Sequence, residues 1–102
     1  TDNSRALVTF RIQIPSNFSE NEVEYFLRKQ GYTRIHKRRG SSFEVIQDRV
    51  RLSQQNYSRL IEDLDAAFHH GSGYATVHIV SDKNLILRTK KFSKQVQKFK
   101  KT

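Results

Sequence analysis

Residues 42–80 read SFEVIQDRVRLSQQNYSRLIEDLDAAFHHGSGYATVHIV and contain the pattern that decides the fold. Alternating apolar residues predict one strand over 43–52 and another over 74–80. Between them, apolar residues recur every three or four positions and predict a helix with one apolar stripe, formed by Tyr57, Leu60, Ile61, Leu64 and Phe68. The alternation fails near Asp48, which predicts a β-bulge or burial on both faces at that point.

A similar strand and helix precede this stretch. Apolar and polar residues alternate over 7–14 and predict a strand that ends at Pro15. A capping box formed by Ser19 and Glu22 begins the first helix, and Gly31 ends it.

Three short segments complete the pattern. Residues 32–36 predict a short strand, residues 37–41 a basic turn, and residues 85–87 an optional fifth strand. The order is therefore β-α-β-β-α-β, with one further strand at the C-terminal end. The economical packing for this order places two helices on one face of an antiparallel sheet, so the expected fold class is α+β.

The composition indicates one small domain with an uneven distribution of charge. The chain has 102 residues, of which 35% are hydrophobic, and this fits a single thin core. Residues 1–82 hold 11 Lys and Arg and 10 Asp and Glu, whereas residues 83–102 hold 8 Lys and Arg and no acid. We therefore expect a nearly neutral domain over 1–89. Residues 90–102 would form a basic tail, either disordered or linking the domain to a larger protein.

Three absences restrict location and origin. Without cysteine the chain has no disulfide and no thiolate metal site, which fits a cytoplasmic location. No apolar run of about 18 residues and no signal-peptide pattern is present, so we expect no membrane association. The absence of methionine indicates a processed chain or a fragment of a larger protein.

The sequence contains no motif typical of an active site. Gly71-Ser72-Gly73 follows a helix and lacks the Lys-Ser/Thr step of a phosphate-binding loop. No Ser-His-Asp set or carboxylate pair stands out. His69 and His70 project about 100° apart on a helix, and no partner three or four residues away completes a metal site. We therefore expect neither catalysis nor a metal or cofactor within this chain.

The Asp48-Arg49 pair is the unusual feature of the strand over 43–52. The alternation predicts one face formed by Phe43, Val45 and Gln47, and an opposite face formed by Glu44, Ile46, Asp48 and Val50. Arg34, on the preceding strand, is a candidate neighbour of Arg49. Two arginines on a sheet suit bidentate recognition of carboxylates or phosphates. The same pattern equally fits surface arginines that pack their stems on the sheet.

Several motifs resemble, in order, the domain of UvrA that docks onto UvrB; UvrA is the ATPase subunit of the bacterial excinuclease. The stretch FEVIQDR over 43–49 is similar to the family's I-E-V-V-V-D-R. Upstream, LRKQGYTR over 27–34 resembles L-x-x-Q-G-Y-x-R. Further matches follow downstream in the family's order, namely Arg59-Leu60, Ala67, Gly71-Ser72-Gly73 and Phe92-Ser93.

The resemblance implies a function that the residues alone do not. It implies a non-catalytic docking domain within an ABC-type ATPase of nucleotide excision repair, active in the SOS response to DNA damage. It also implies that Arg34, Arg49 and the adjoining Asp48 belong to the surface that binds UvrB. The parent protein would be a cytoplasmic homodimer that uses ATP and zinc, whereas this fragment would be a monomer that holds neither.

The basic segments support an alternative function, a module that contacts DNA through its basic turn and tail. Six residues are candidate phosphate contacts, namely Lys37, Arg38, Arg39, Lys90, Lys91 and Lys94. The β-α-β-β-α-β order also occurs in RNA-binding modules that stack bases on sheet aromatics. The strand over 43–52 has only Phe43 for that purpose and lacks the consensus of those modules.

Overall fold

A five-stranded sheet forms the centre of the molecule. The computed structural model describes residues 3–32 and 35–94, with residues 35–39 as backbone alone. The strands are β1 (Arg5–Gln13), β2 (Ile35–Arg39), β3 (Ser42–Arg51), β4 (Tyr74–Val80) and β5 (Ile86–Ser93). The helices are α1 (Glu20–Lys29) and α2 (Tyr57–His70), and a short 3-10 turn at Gln54–Asn56 precedes α2. The predicted α+β class and element order are confirmed.

The strand order across the sheet is β2-β3-β1-β4-β5, and every neighbouring pair is antiparallel. β1 and β2 therefore run parallel with β3 between them, and β3 and β4 run parallel with β1 between them. These are two interleaved split β-α-β units, each connected by one helix. Right-handed connections place both helices on the same face of the sheet, which leaves the other face without a described helix.

The hydrophobic core lies between this sheet and the two helices. From the sheet it contains Ala6, Val8, Phe10, Phe43, Val45, Ala75 and Val77. From the helices it contains Val23, Leu27 and Ala67. Every second residue of β1 and β4 enters the core because strand side chains alternate between the faces. The capping box of α1 is also confirmed, since Ser19 Oγ accepts a hydrogen bond from the backbone N–H of Glu22 at 3.2 Å.

A β-bulge interrupts the pairing between β1 and β3. Val8 pairs with Asp48, but the next residue, Thr9, pairs with Ile46, so Gln47 has no partner on β1. The bulge predicted near Asp48 is therefore confirmed. One extra residue on a single strand reverses the alternation of every residue beyond it.

The bulge changes which residues of β3 share a face. Asp48 and Val50 lie on the helix side together with Val45, while Arg49 faces away from the helices. The predicted grouping of Asp48 and Val50 with Glu44 is therefore wrong, because it continued the alternation straight through the bulge.

Both edge strands differ in extent from the sequence prediction. β2 covers Ile35–Arg39, so Lys37, Arg38 and Arg39 belong to a strand and only Gly40 and Ser41 form the turn. β5 continues to Ser93, so the expected domain boundary at residue 89 falls inside a strand. Both strands are rich in Lys and Arg, which are common on sheet edges and give no apolar alternation from which to predict a strand.

The turn between α2 and β4 requires a glycine at its first position. A Cβ on Gly71 would clash with the carbonyl oxygen of Tyr74, and it would lie 3.0 Å from both the carbonyl oxygen of Ala67 and Cβ of Phe10. Gly71 is buried, so an added methyl group at this position would lie inside the protein and not in solvent.

We expect Gly71→Ala to lower the free energy of unfolding by about 1–3 kcal/mol, because the added methyl group overpacks the end of α2. Urea denaturation measures this change. Ser72→Ala is the matched control, since Ser72 is the exposed neighbour in the same turn. Equal midpoints for the two variants would contradict the tight packing at Gly71.

Candidate functional site

The face of the sheet opposite α1 and α2 is the candidate site, and we call it the helix-free face. From β1 it comprises Arg5, Leu7, Thr9, Arg11 and Gln13, and from β3 Ser42, Glu44, Ile46, Arg49 and Arg51. From β4 it comprises Tyr74, Thr76, His78 and Val80, and from β5 Ile86, Thr89, Lys91 and Ser93. Paired residues on neighbouring strands project to the same side, which defines this set.

Positive charge dominates the helix-free face. Its basic side chains on β1, β3, β4 and β5 are Arg5, Arg11, Arg49, Arg51 and Lys91, and all but Arg5 are exposed. The one carboxylate among these strand positions is Glu44, which is buried. A surface with several cations and no exposed acid attracts an anionic partner and accelerates its association.

The buried carboxylate of Glu44 belongs to a network of polar side chains. Glu44 Oε2 lies 2.7 Å from His78 Nε2 and accepts a 2.6 Å hydrogen bond from the Thr9 hydroxyl. The other ring nitrogen, His78 Nδ1, lies 2.8 Å from the Thr89 hydroxyl. Because a carboxylate accepts hydrogen bonds, Nε2 carries the proton in this contact. The network links β3, β1, β4 and β5 and keeps the acid away from solvent.

Arg49 lies beside the turn between β4 and β5. Its Nη1 lies 3.5 Å from Oδ1 of Asn84, a residue with positive φ. The Ser81 hydroxyl accepts hydrogen bonds from two backbone N–H groups of the turn. Three apolar residues then follow in sequence and are unusually exposed: Leu85 at 62%, Ile86 at 50% and Leu87 at 60%. This part of the surface combines an arginine with apolar side chains.

Asp48 lies on the other side of the sheet and binds α2. Its two carboxylate oxygens accept hydrogen bonds from Nε and Nη2 of Arg59, both at 2.8 Å. The backbone N–H of Arg49 donates a third at 2.8 Å. Burial disfavours ionisation of Asp48, but hydrogen bonds from Arg59, Asp63 and Arg49 outweigh it and lower its pKa to about 2. Asp48 therefore fixes α2 against β3.

Asp63 interacts with Asp48 and has a raised pKa. Its Oδ2 is buried and no donor faces it among the described residues. Burial, together with the hydrogen bond to Asp48 and the charge of Asp48, raises the pKa of Asp63 to about 7. Below this pH Asp63 carries a proton and can donate a hydrogen bond to Asp48, because two carboxylate oxygens share a hydrogen bond only when one of them is protonated.

The remaining predicted site residues have different positions. Arg34 lies outside the described residues. Of the predicted DNA contacts, Lys37, Arg38 and Arg39 are described only as backbone of β2. The Lys90 Nζ lies 5.7 Å from the ring centroid of Phe92, and the Lys94 Nζ lies 3.7 Å from a carboxylate oxygen of Asp65. Among the members of this set whose side chains are described, Lys91 is the one on the helix-free face.

Several residues of the site were missed by sequence analysis. The alternation of β1 already groups Arg5 and Arg11 with Thr9 on the polar side, so this signal was available. The Glu44-His78 contact had no such signal, because it joins residues 34 positions apart in the sequence across an intervening strand.

Comparisons with protein-family models, with curated proteins and with solved structures found no match. Over residues 3–32 and 35–94, neither helix is long and apolar enough to cross a membrane. The same residues contain no cluster of three His, Cys, Asp or Glu side chains that could hold a metal ion.

We expect the stability of the domain to fall as the pH rises from about 4 to about 7. In this window the folded chain keeps the proton of Asp63, whose pKa is raised to about 7, while the unfolded chain releases it. The unfolded state then binds fewer protons, so rising pH favours unfolding. Asp63→Asn keeps a donor for Asp48 and should remove this part of the slope.

Urea denaturation across this pH range measures the effect. Asp82→Asn is the control, because it makes the same charge change at an exposed turn residue. Identical pH profiles for wild type and Asp63→Asn would contradict a shared proton.

We expect His78→Ala to lower the free energy of unfolding by about 3 kcal/mol, because it removes a partner of the buried Glu44 carboxylate. Thr89→Ala removes only the exposed end of the network and should change stability by about 0.5 kcal/mol or less. Urea denaturation measures both losses. Equal losses for the two variants would contradict the larger contribution expected from the buried end of the network.

Proposed function

We propose that this chain is a docking domain of a UvrA-type protein and that it binds an acidic surface of UvrB through the helix-free face. The resemblance of the sequence motifs suggests the partner. The charge of the face supports the same class of partner, because its exposed ionisable groups are basic. A protein surface rich in carboxylates would be electrostatically complementary to it.

The observation that carries the proposal is the position of Arg49 beside the turn that leads into three exposed apolar residues. Protein interfaces are enriched in arginine, and their centres exclude water by apolar contact. Arg49 contacts Asn84, and Asn84 is followed directly by Leu85, Ile86 and Leu87. A carboxylate of the partner would bind the guanidinium while an apolar side chain covers the leucines.

The exposed apolar residues also favour a protein over DNA at this end of the face. Phosphate contacts use cations and polar groups, and they gain nothing from three neighbouring aliphatic side chains. Large exposed apolar side chains in sequence are typical of protein interaction sites.

Asp48 stabilises the docking surface from the helix side of the sheet. Its carboxylate is bonded to Arg59 on the helix side of the sheet, so its role is to hold β3 and α2 in place. We therefore assign direct contact to Arg49 and a positioning role to Asp48.

Calorimetric titration of this chain with UvrB from the same organism tests the proposal. Arg49→Ala should weaken binding by about 2 kcal/mol, which is about thirtyfold in Kd. Ile86→Ser should also weaken it, because it removes apolar contact. Arg28→Ala is the matched control, since Arg28 is an exposed arginine on α1.

Two results would contradict the proposal. Equal affinities for Arg49→Ala and Arg28→Ala would place docking on another surface. The absence of saturable heat with UvrB would exclude the partner.

A further inference from the structure

A cleft of about 420 Å³ opens where β1 and β4 separate. The two strands pair only from Arg5 to Thr9 on β1 and from Thr76 to Val80 on β4. Beyond these positions β1 continues beside β3, and the first residues of β4 pair only with β5. The Gly71 turn fills part of the gap, and the remaining space is the cleft.

The lining of the cleft includes two cations and no acid, beside apolar residues such as Phe10 and Phe92. Arg11 and Lys91 contribute cations, and Gln13, Ser72 and Thr76 contribute hydrogen-bonding groups. Arg11 and Lys91 are exposed, and both belong to the helix-free face. Arg11 and Lys91 therefore place charged hydrogen-bond donors on either side of Thr76, and both can bind an anion.

An exposed aromatic ring completes the cleft. Tyr74, the first residue of β4, lines the cleft and remains 66% exposed. It projects to the helix-free face because Ala75, its neighbour in sequence, enters the core. An exposed ring next to two cations is the combination that binds single-stranded nucleic acid, with a base stacked on the ring and phosphates held by the cations.

We propose that this cleft is a binding site for single-stranded nucleic acid, with Tyr74 as the stacking residue and Arg11 and Lys91 as phosphate contacts. A single strand fits because its bases are free to turn outwards onto a ring, whereas a duplex keeps them stacked inside the helix. The cleft and Arg49 lie at different positions on the helix-free face. Arg11 lies four residues beyond Leu7, the partner of Arg49, which is about 13 Å along β1.

Fluorescence anisotropy with a labelled oligothymidylate of about 12 nucleotides tests the site on the full chain. Tyr74→Ala should raise the Kd about tenfold or more, and Tyr74→Phe should bind like wild type, because phenylalanine keeps the stacking surface. Tyr25→Ala is the matched control, since Tyr25 is 59% exposed on α1 and far from the cleft in the fold.

The salt dependence tests the phosphate contacts independently. Between about 50 and 200 mM salt, Arg11→Ala and Lys91→Ala should each reduce the slope of log K against log salt by about 0.7. A chain with Lys98, Lys100 and Lys101 changed to Ala should keep most of its affinity.

Three outcomes would overturn the proposal. The first is equal affinity for Tyr74→Ala and Tyr25→Ala. The second is loss of binding in the triple lysine variant with no effect of Tyr74→Ala, which would assign binding to the C-terminal lysines. The third is a duplex of the same length binding as tightly as the single strand. None of these outcomes depends on whether UvrB binds Arg49.

Discussion

The extra residue at Gln47 is the constraint on which both faces of the sheet depend. Without it, strict alternation would turn Asp48 towards the helix-free face and Arg49 towards α2. The bulge is fixed from outside β3, because the Tyr32 hydroxyl donates a 3.1 Å hydrogen bond to Gln47 Oε1. The Tyr32 ring in turn packs edge-on against Phe10, with centroids 5.4 Å apart. Core packing therefore decides which charged side chain of β3 meets the solvent.

The Asp48-Arg59 and Glu44-His78 contacts differ in what they contribute. The Asp48-Arg59 pair is partly exposed, so solvent screens it and its contribution to stability is modest. It fixes the position of α2 by its bidentate geometry. The Glu44-His78 hydrogen bond is buried, and the cost of desolvating the carboxylate offsets much of its attraction to the ring N–H. Its clearer consequence is electrostatic, because it removes the carboxylate of Glu44 from an otherwise basic surface.

Sequence patterns predicted the elements whose apolar residues recur periodically and failed where that period is broken or absent. β1, β4 and α2 each have one apolar side, so their periodicity marks them directly. The bulge in β3 was detectable as a break in the pattern, but its effect on the faces required the register with β1. The full extent of β5 was not predictable, because nearly all its side chains are exposed. The Arg11-Tyr74-Lys91 cleft depends on where two strands separate, which no local pattern records.

The net charge of +9 does not show how the charges are distributed between the two sides of the sheet. That distribution matters more for function than the net charge. The sequences of α1 and α2 together hold six acids and three Lys or Arg residues, so the helical side is acidic. On β1, β3, β4 and β5, the strand positions of the helix-free face hold five cations and one buried acid. The electric field of such a charge distribution orients the helix-free face towards an anionic partner before the two molecules make contact. Charge alone therefore selects the face but not the class of partner. The uncharged residues make that distinction, with aliphatic side chains after Asn84, which Arg49 contacts, and an aromatic ring in the cleft that Arg11 and Lys91 also line.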